Sequence, residues 1–155
     1  MTQTSAPGFS VAGQANSAGY AGDVDAKTAW NALQSDPKAV LVDVRTQAEW
    51  NFVGVPDLGE IGKQAVLAQW QVFPTMEVNS RFVDEVKAAT PDPSAPIYFL
   101  CRSGARSKAA AIALTKAGYT ACYNVSGGFE GPHDADRHRG AVDGWKALGL
   151  PWMQG

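Results

Sequence analysis

Apolar and polar positions fall into short blocks along the chain, separated by Gly, Pro and Asp clusters, and the period within each block predicts its structure. Residues 1–22 have no such period. They are rich in Gly, Ser, Ala, Thr and Gln and carry no charged side chain, so a loose tail is expected, with structure starting near Asp23. Ala26, Ala29, Trp30 and Leu33 then repeat at helical spacing behind Asp25, which suits a helix N-cap. Ala39-Val40-Leu41-Val42-Asp43-Val44 is almost continuously apolar, the pattern of a strand covered on both faces. Thr46 and Glu49 stand at capping-box spacing and predict a short helix carrying Trp50. Residues 65–73 alternate loosely, as one additional strand would. Asn79 or Ser80 opens a helix with Phe82, Val83 and Val86 on one face.

A second buried strand, Pro96-Ile97-Tyr98-Phe99-Leu100, runs straight into Cys101. An Ala-rich helix is expected from near Ser107 to a stop at Gly118, with Lys116 in its last turn. Residues 121–125 form a third strand before the Gly127-Gly128 turn. Strands alternating with helices predict an α/β fold around a mostly parallel sheet.

The length, 155 residues, is that of one domain, which can bury about two thirds of its unfolded surface without a metal or disulfide staple. The net charge of −2 gives no overall basic excess for nucleic acid or acidic membrane. No apolar stretch is long enough to span a bilayer, and the N-terminus lacks the cationic start and apolar core of a signal peptide. A cytoplasmic location is expected. Cys101 and Cys122 are too few for a disulfide framework, and Cys122 reads as a buried strand residue. His133 and His138 have no partners at zinc spacing, so no metal site is expected. The tryptophans read as core, and Arg137, Arg139 and Lys146 as a solvated face.

The informative segment is Cys101-Arg102-Ser103-Gly104-Ala105-Arg106-Ser107. In open α/β sheets, sites form beyond the carboxyl ends of the strands, where Cys101 falls. Gly104 permits a tight turn into a helix N-terminus, where inward N–H groups and the helix dipole favour an anion. Arg102 and Arg106 add permanent cations. Each feature favours a thiolate over a thiol, and each would hold an anionic substrate. Arg102 also fits a simply solvated side chain, and Arg106 is placed to brace the loop through backbone carbonyls. Asp43 and Arg45 read as a supporting polar pair at a strand end.

This Cys-x-x-Gly-x-Arg stretch between strand and helix resembles the active-site loop of rhodanese domains. Residues 41–45 with Glu49-Trp50, then Gly118-Tyr119, then Tyr123-Asn124-Val125 with Gly127-Gly128-Phe129, and finally residues 144–151 match further parts of that family's pattern. The resemblance covers most of residues 23–152. It implies a central, mostly parallel five-stranded sheet with helices on both faces. It also implies a sulfurtransferase in which Cys101 takes a sulfane sulfur from thiosulfate or a similar small anionic donor, becomes a persulfide, and passes the sulfur to cyanide or a thiol. Arg102, Ser103, Gly104, Ala105 and Arg106 would bind substrate, with Asp43 and Arg45 in support and no cofactor.

The chain departs from the family in two insertions, at about 57–79 and 130–143, within a domain expected over 23–155. The second holds His133 and His138 and is expected to form a flap beside the pocket that affects which acceptor enters. Val55 and Pro56 follow Gly54 where the family has a His. Two rival readings follow from the same residues. One is a persulfide carrier or regulatory module acting with a protein acceptor. The other is a cysteine phosphatase or arsenate reductase, whose loop is one residue longer between Cys and Arg. Mercaptopyruvate and a protein persulfide stay open as donors.

Overall fold

The computed structural model of the chain describes residues 19–72, 75–131 and 144–153. The expected tail before residue 19, and His133, Arg137, His138 and Arg139 of the second insertion, lie outside the described residues. In chain order the elements are β1 (Gly22–Val24), α1 (Ala26–Ser35), β2 (Val40–Asp43), α2 (Gln47–Phe52), β3 (Val55–Pro56), a 3-10 turn (Gly59–Ile61), β4 (Val66–Leu67), β5 (Gln71–Val72), β6 (Glu77–Val78), α3 (Phe82–Ala89), β7 (Ile97–Leu100), α4 (Ala105–Lys116), β8 (Cys122–Val125) and β9 (Trp152–Met153).

Helix starts follow local chemistry. The Asp25 carboxylate accepts the Thr28 N–H at 2.7 Å and caps α1. At α2 the capping box is complete: Thr46 Oγ1 accepts the Glu49 N–H at 3.3 Å, and Glu49 Oε1 accepts the Thr46 N–H at 3.2 Å.

Five strands form one sheet in the order β1-β8-β7-β2-β4, and every neighbouring pair is parallel. The period of two sorts their side chains to two cores. Val42, Val44, Ile97, Phe99, Cys101 and Cys122 pack with Phe82 and Val86 of α3 and with Ala110, Ala111 and Leu114 of α4. Leu41, Tyr98, Leu100 and Val125 pack on the other face with Ala29, Trp30 and Leu33 of α1 and with Trp145 and Leu150. The sheet is covered on both faces, as its continuous apolar strands require. Among the described residues no helix is long and apolar enough to cross a membrane.

The structure departs from the expected boundaries in four places. Packing begins before Asp23: Tyr20 is buried, and β1 pairs with Tyr123, Asn124 and Val125. Residues 65–73 are not one strand. β4 closes the sheet against β2, Trp70 then packs edge-on against Phe82 at 5.2 Å, and β5 turns away to pair antiparallel with β6. Asn79 does not cap α3. Its Oδ1 accepts the Arg81 N–H at 3.0 Å and shapes the turn one residue earlier, leaving Arg81 at the cap position. Finally, α4 begins at Ala105 instead of near Ser107, because left-handed Gly104 already stands at its N-cap.

Candidate active site

Cys101 follows β7 at the carboxyl edge of the sheet, on the α4 face. Gly104, with φ +114°, turns the chain so that its own N–H donates to Cys101 Sγ at 3.1 Å. No L side chain fits there, since a Cβ would stand 2.5 Å from the Ser126 carbonyl oxygen. The loop is stapled to the turn after β8. The Phe129 N–H donates to the Cys101 carbonyl at 2.8 Å, and the Glu130 and Gly131 N–H groups both donate to the Arg102 carbonyl at 3.0 Å. Cys101 itself has no solvent-exposed surface. Its sulfur therefore lies beneath the loop, at the α4 N-terminus, where a backbone donor and the helix dipole act together.

The proposed substrate residues separate into rim and frame. Arg102, Ser103 and Ala105 are exposed, whereas Gly104 is buried. Arg106 does not brace backbone carbonyls. Its guanidinium grips Glu49 of α2 with Nη1–Oε1 at 2.7 Å and Nη2–Oε2 at 2.9 Å, a bidentate pair that fixes the first turn of α4 against α2. Sequence reasoning read Glu49 as a capping residue and as part of the family pattern but not as the partner of Arg106, because a partner 57 positions away leaves no local signal.

Burial would push the Glu49 carboxyl up, but the hydrogen bonds and charge of Arg106, with those of Thr46, bring it down to about 2. A carboxyl lowered on folding stabilises above its unfolded value of 4.5 and loses that contribution as pH falls toward about 2. Solvent screening of this part-buried pair discounts the contribution to roughly 1 kcal/mol. Urea unfolding at a series of pH values is expected to show this loss, and Glu49→Gln to flatten it. An equally steep acid loss in Glu49→Gln would assign it elsewhere.

Asp43 and Arg45 lie on the β2 side, and both are fully buried. Arg45 Nε meets Asp43 Oδ1 at 2.9 Å and Nη2 meets Oδ2 at 2.6 Å. Nη2 also donates to the Gly54 carbonyl at 2.7 Å, and the guanidinium lies 4.2 Å over the Phe129 ring. The pair therefore ties β2 to the segment that staples the cysteine loop.

A polar chain missed from sequence runs beneath the sulfur. Ser107 Oγ lies 3.2 Å from Cys101 Sγ and 2.5 Å from Asn124 Oδ1. Asn124 Nδ2 donates to Asp23 Oδ1 at 3.0 Å, and the Tyr20 hydroxyl donates to the same oxygen at 2.7 Å. Among the described residues no group of three or more His, Cys, Asp and Glu could hold a metal ion.

Cys122 is also fully buried, and burial pushes its thiol up to about 11. Iodoacetamide at neutral pH is expected to label Cys101, which sits under a loop whose Arg102 and Ser103 are exposed, and to leave Cys122, held inside β8, unmodified, read by peptide mapping. Labelling of Cys122 at a comparable rate would contradict this assignment.

The family model described as STR4 middle domain matches residues 21–155. The crystal structure of Rv0390 from M. tuberculosis is 50% identical, superposes with a TM-score of 0.80, and corresponds to 88% of this chain and 99% of that one. A Rickettsia rickettsii protein, named as uncharacterized, is 43% identical over 127 residues, or 81% of this chain and 91% of that protein. The chloroplastic rhodanese-like domain-containing protein 4 of Arabidopsis thaliana is 28% identical over 130 residues, which make up 83% of this chain and 25% of that protein.

Proposed function

The chain belongs to the rhodanese-like STR4 middle-domain family, and from that premise we propose that it is a sulfurtransferase whose Cys101 carries the sulfur as a persulfide. The observation that carries this reading is the position of Cys101 Sγ, at the carboxyl end of β7 and the N-terminus of α4, accepting the Gly104 N–H at 3.1 Å. A sulfur anion there gains from a backbone donor and from the helix dipole.

In the first step the Cys101 thiolate attacks the outer sulfur of thiosulfate. A new S–S bond forms at Cys101, the S–S bond of thiosulfate breaks, and sulfite leaves with the electron pair. In the second step cyanide or a thiolate attacks the terminal sulfur of the persulfide, and the Cys101 thiolate leaves. This is two-step covalent catalysis with no net redox change, and it needs no metal or organic cofactor.

Arg106 is neutralised by Glu49, so the exposed Arg102 is the loop cation free to meet a doubly charged donor. Arg102→Ala is expected to raise KM for thiosulfate about tenfold and to change kcat little. An unchanged KM would remove Arg102 from donor binding.

The reading is tested by thiocyanate formation from thiosulfate and cyanide. Cys101→Ser is expected to lower the rate by at least about 1000-fold. Turnover that survives in Cys101→Ser would overturn the proposal. A second reading, a carrier that delivers sulfur to a partner protein, is favoured by the burial of Cys101, which hinders small acceptors. It predicts loading at Cys101 without sustained turnover to cyanide.

A further inference from the structure

Ser107 has one hydroxyl proton and three neighbours placed to take it: Cys101 Sγ at 3.2 Å, the Gly104 carbonyl at 3.2 Å and, nearest, Asn124 Oδ1 at 2.5 Å. The amide orientation of Asn124 follows from its other contact. Asp23 offers only a carboxylate, so Nδ2 must face it and Oδ1 must face Ser107. Asp23 and Asn124 are register partners on β1 and β8, which holds the two side chains together. Tyr20 supports the same arrangement. Burial and Asp23 push its phenol up to about 12, so it remains a donor to Asp23.

We propose that Asn124 is a positioning residue that competes with Cys101 for the Ser107 proton, and so favours the sulfur-loaded form of the enzyme over the free thiolate. The proposal rests on reading Cys101 as the reactive thiol. When Cys101 is a thiolate, Ser107 can donate to Sγ only by turning an oxygen lone pair toward Asn124 Oδ1, which has no proton to offer. When Cys101 carries a persulfide, the charge sits on the outer sulfur and Sγ is neutral. Ser107 then returns its proton to Asn124 at no electrostatic cost.

The other charged or titratable groups around this site are Arg102 of the loop itself, Arg106 of α4 with Glu49 of α2, the Asp43–Arg45 pair at the end of β2, Asp23 and Tyr20 at β1, and Cys122 of β8. An Asn124→Leu substitution removes none of these groups, and Asp23, which loses its Nδ2 donor, keeps that of Tyr20.

The test is the pH–rate profile of Cys101 alkylation by iodoacetamide in the full chain. Asn124→Leu removes the nearest acceptor of the Ser107 proton and leaves Sγ, the charged one of the two that remain, to compete with the Gly104 carbonyl; it is expected to move the profile toward acid by up to about one pH unit, close to tenfold in rate below the midpoint. The movement is expected to vanish when Asn124→Leu is combined with Ser107→Ala and compared with Ser107→Ala alone, a result that a merely structural role would not give. A profile superimposable on wild type, or a movement that persists without Ser107, would overturn the proposal. Should Asn124→Leu fail to fold, Asp23→Leu on the exposed edge strand frees the amide to turn and carries the same test, with a smaller shift in the same direction. Thiosulfate loading is followed separately by mass in the same proteins. Its absence in wild type counts against the sulfur-carrier reading, while the alkylation profiles still decide the role of Asn124.

Discussion

Gly128→Ala is expected to lower both Cys101 alkylation and sulfur transfer by about 100-fold, although residue 128 touches no substrate in the proposed reaction. Gly128 has φ +67°, which costs an L side chain about 1 kcal/mol. The space is more restrictive than the dihedral. A Cβ there would collide with the Arg102 carbonyl oxygen, stand 2.6 Å from the Arg102 carbonyl carbon, and stand 2.7 Å from the Cys101 carbonyl oxygen. All of these are backbone atoms, and both carbonyls are held by N–H groups of residues 129–131. The clash can be relieved only by moving the cysteine loop, which also moves Sγ from the Gly104 N–H. Overpacking of this kind costs roughly 1–3 kcal/mol, and a displacement of about 1 Å at a reacting centre costs about 100-fold. Gly118→Ala is the control. Its φ is +104°, but a Cβ would meet nothing within 4 Å, so it is expected to lose about 1 kcal/mol in urea unfolding and to keep its rate. Near-wild-type rates in Gly128→Ala would show that the staple does not hold the loop.

Arg45→Met is expected to destabilise the fold by about 3–5 kcal/mol, a large fraction of the roughly 5–15 kcal/mol that stabilises a domain. Both partners of the Asp43–Arg45 pair are fully buried, so removing the guanidinium strands a carboxylate where water cannot reach it. The Gly54 carbonyl also loses its 2.7 Å donor, and Phe129 loses the nearer of two cations, with Lys146 remaining 5.6 Å from its ring. Asp43→Leu combined with Arg45→Met replaces the pair with apolar groups and is expected to recover most of the loss, because the isolated charge dominates the cost. Urea midpoints at constant slope measure both variants. A loss under about 1 kcal/mol in Arg45→Met would mean that the pair is not the tie between β2 and the loop segment.

Much of this was legible in the chain because its causes are local. The α2 capping box needs only Thr46 and Glu49, and β2 and β7 announce themselves as apolar runs that end at Asp43 and Cys101. The short strands were not legible. β1 has three residues and β3, β4, β5, β6 and β9 have two each, too few for a period of two to register, and tertiary pairing alone defines them. Partners distant in sequence were equally hidden. Arg106 finds Glu49 across 57 positions and Asn124 finds Asp23 across 101, so neither the balanced charge beside the cysteine nor the polar chain under it could be read from spacing. For the same reason Ser107 read only as the place where a helix starts. Its contacts with Sγ and Asn124 exist because α4 lies across β8.

Whether Cys101 stores a sulfur atom is read from the intact mass of the protein after incubation with thiosulfate. The expected result is a gain of one sulfur atom that cyanide removes and that Cys101→Ser never acquires. A protein that gains no mass while Cys101 remains open to alkylation would contradict transfer from thiosulfate, and a gain retained in Cys101→Ser would contradict the assignment of the sulfur to Cys101.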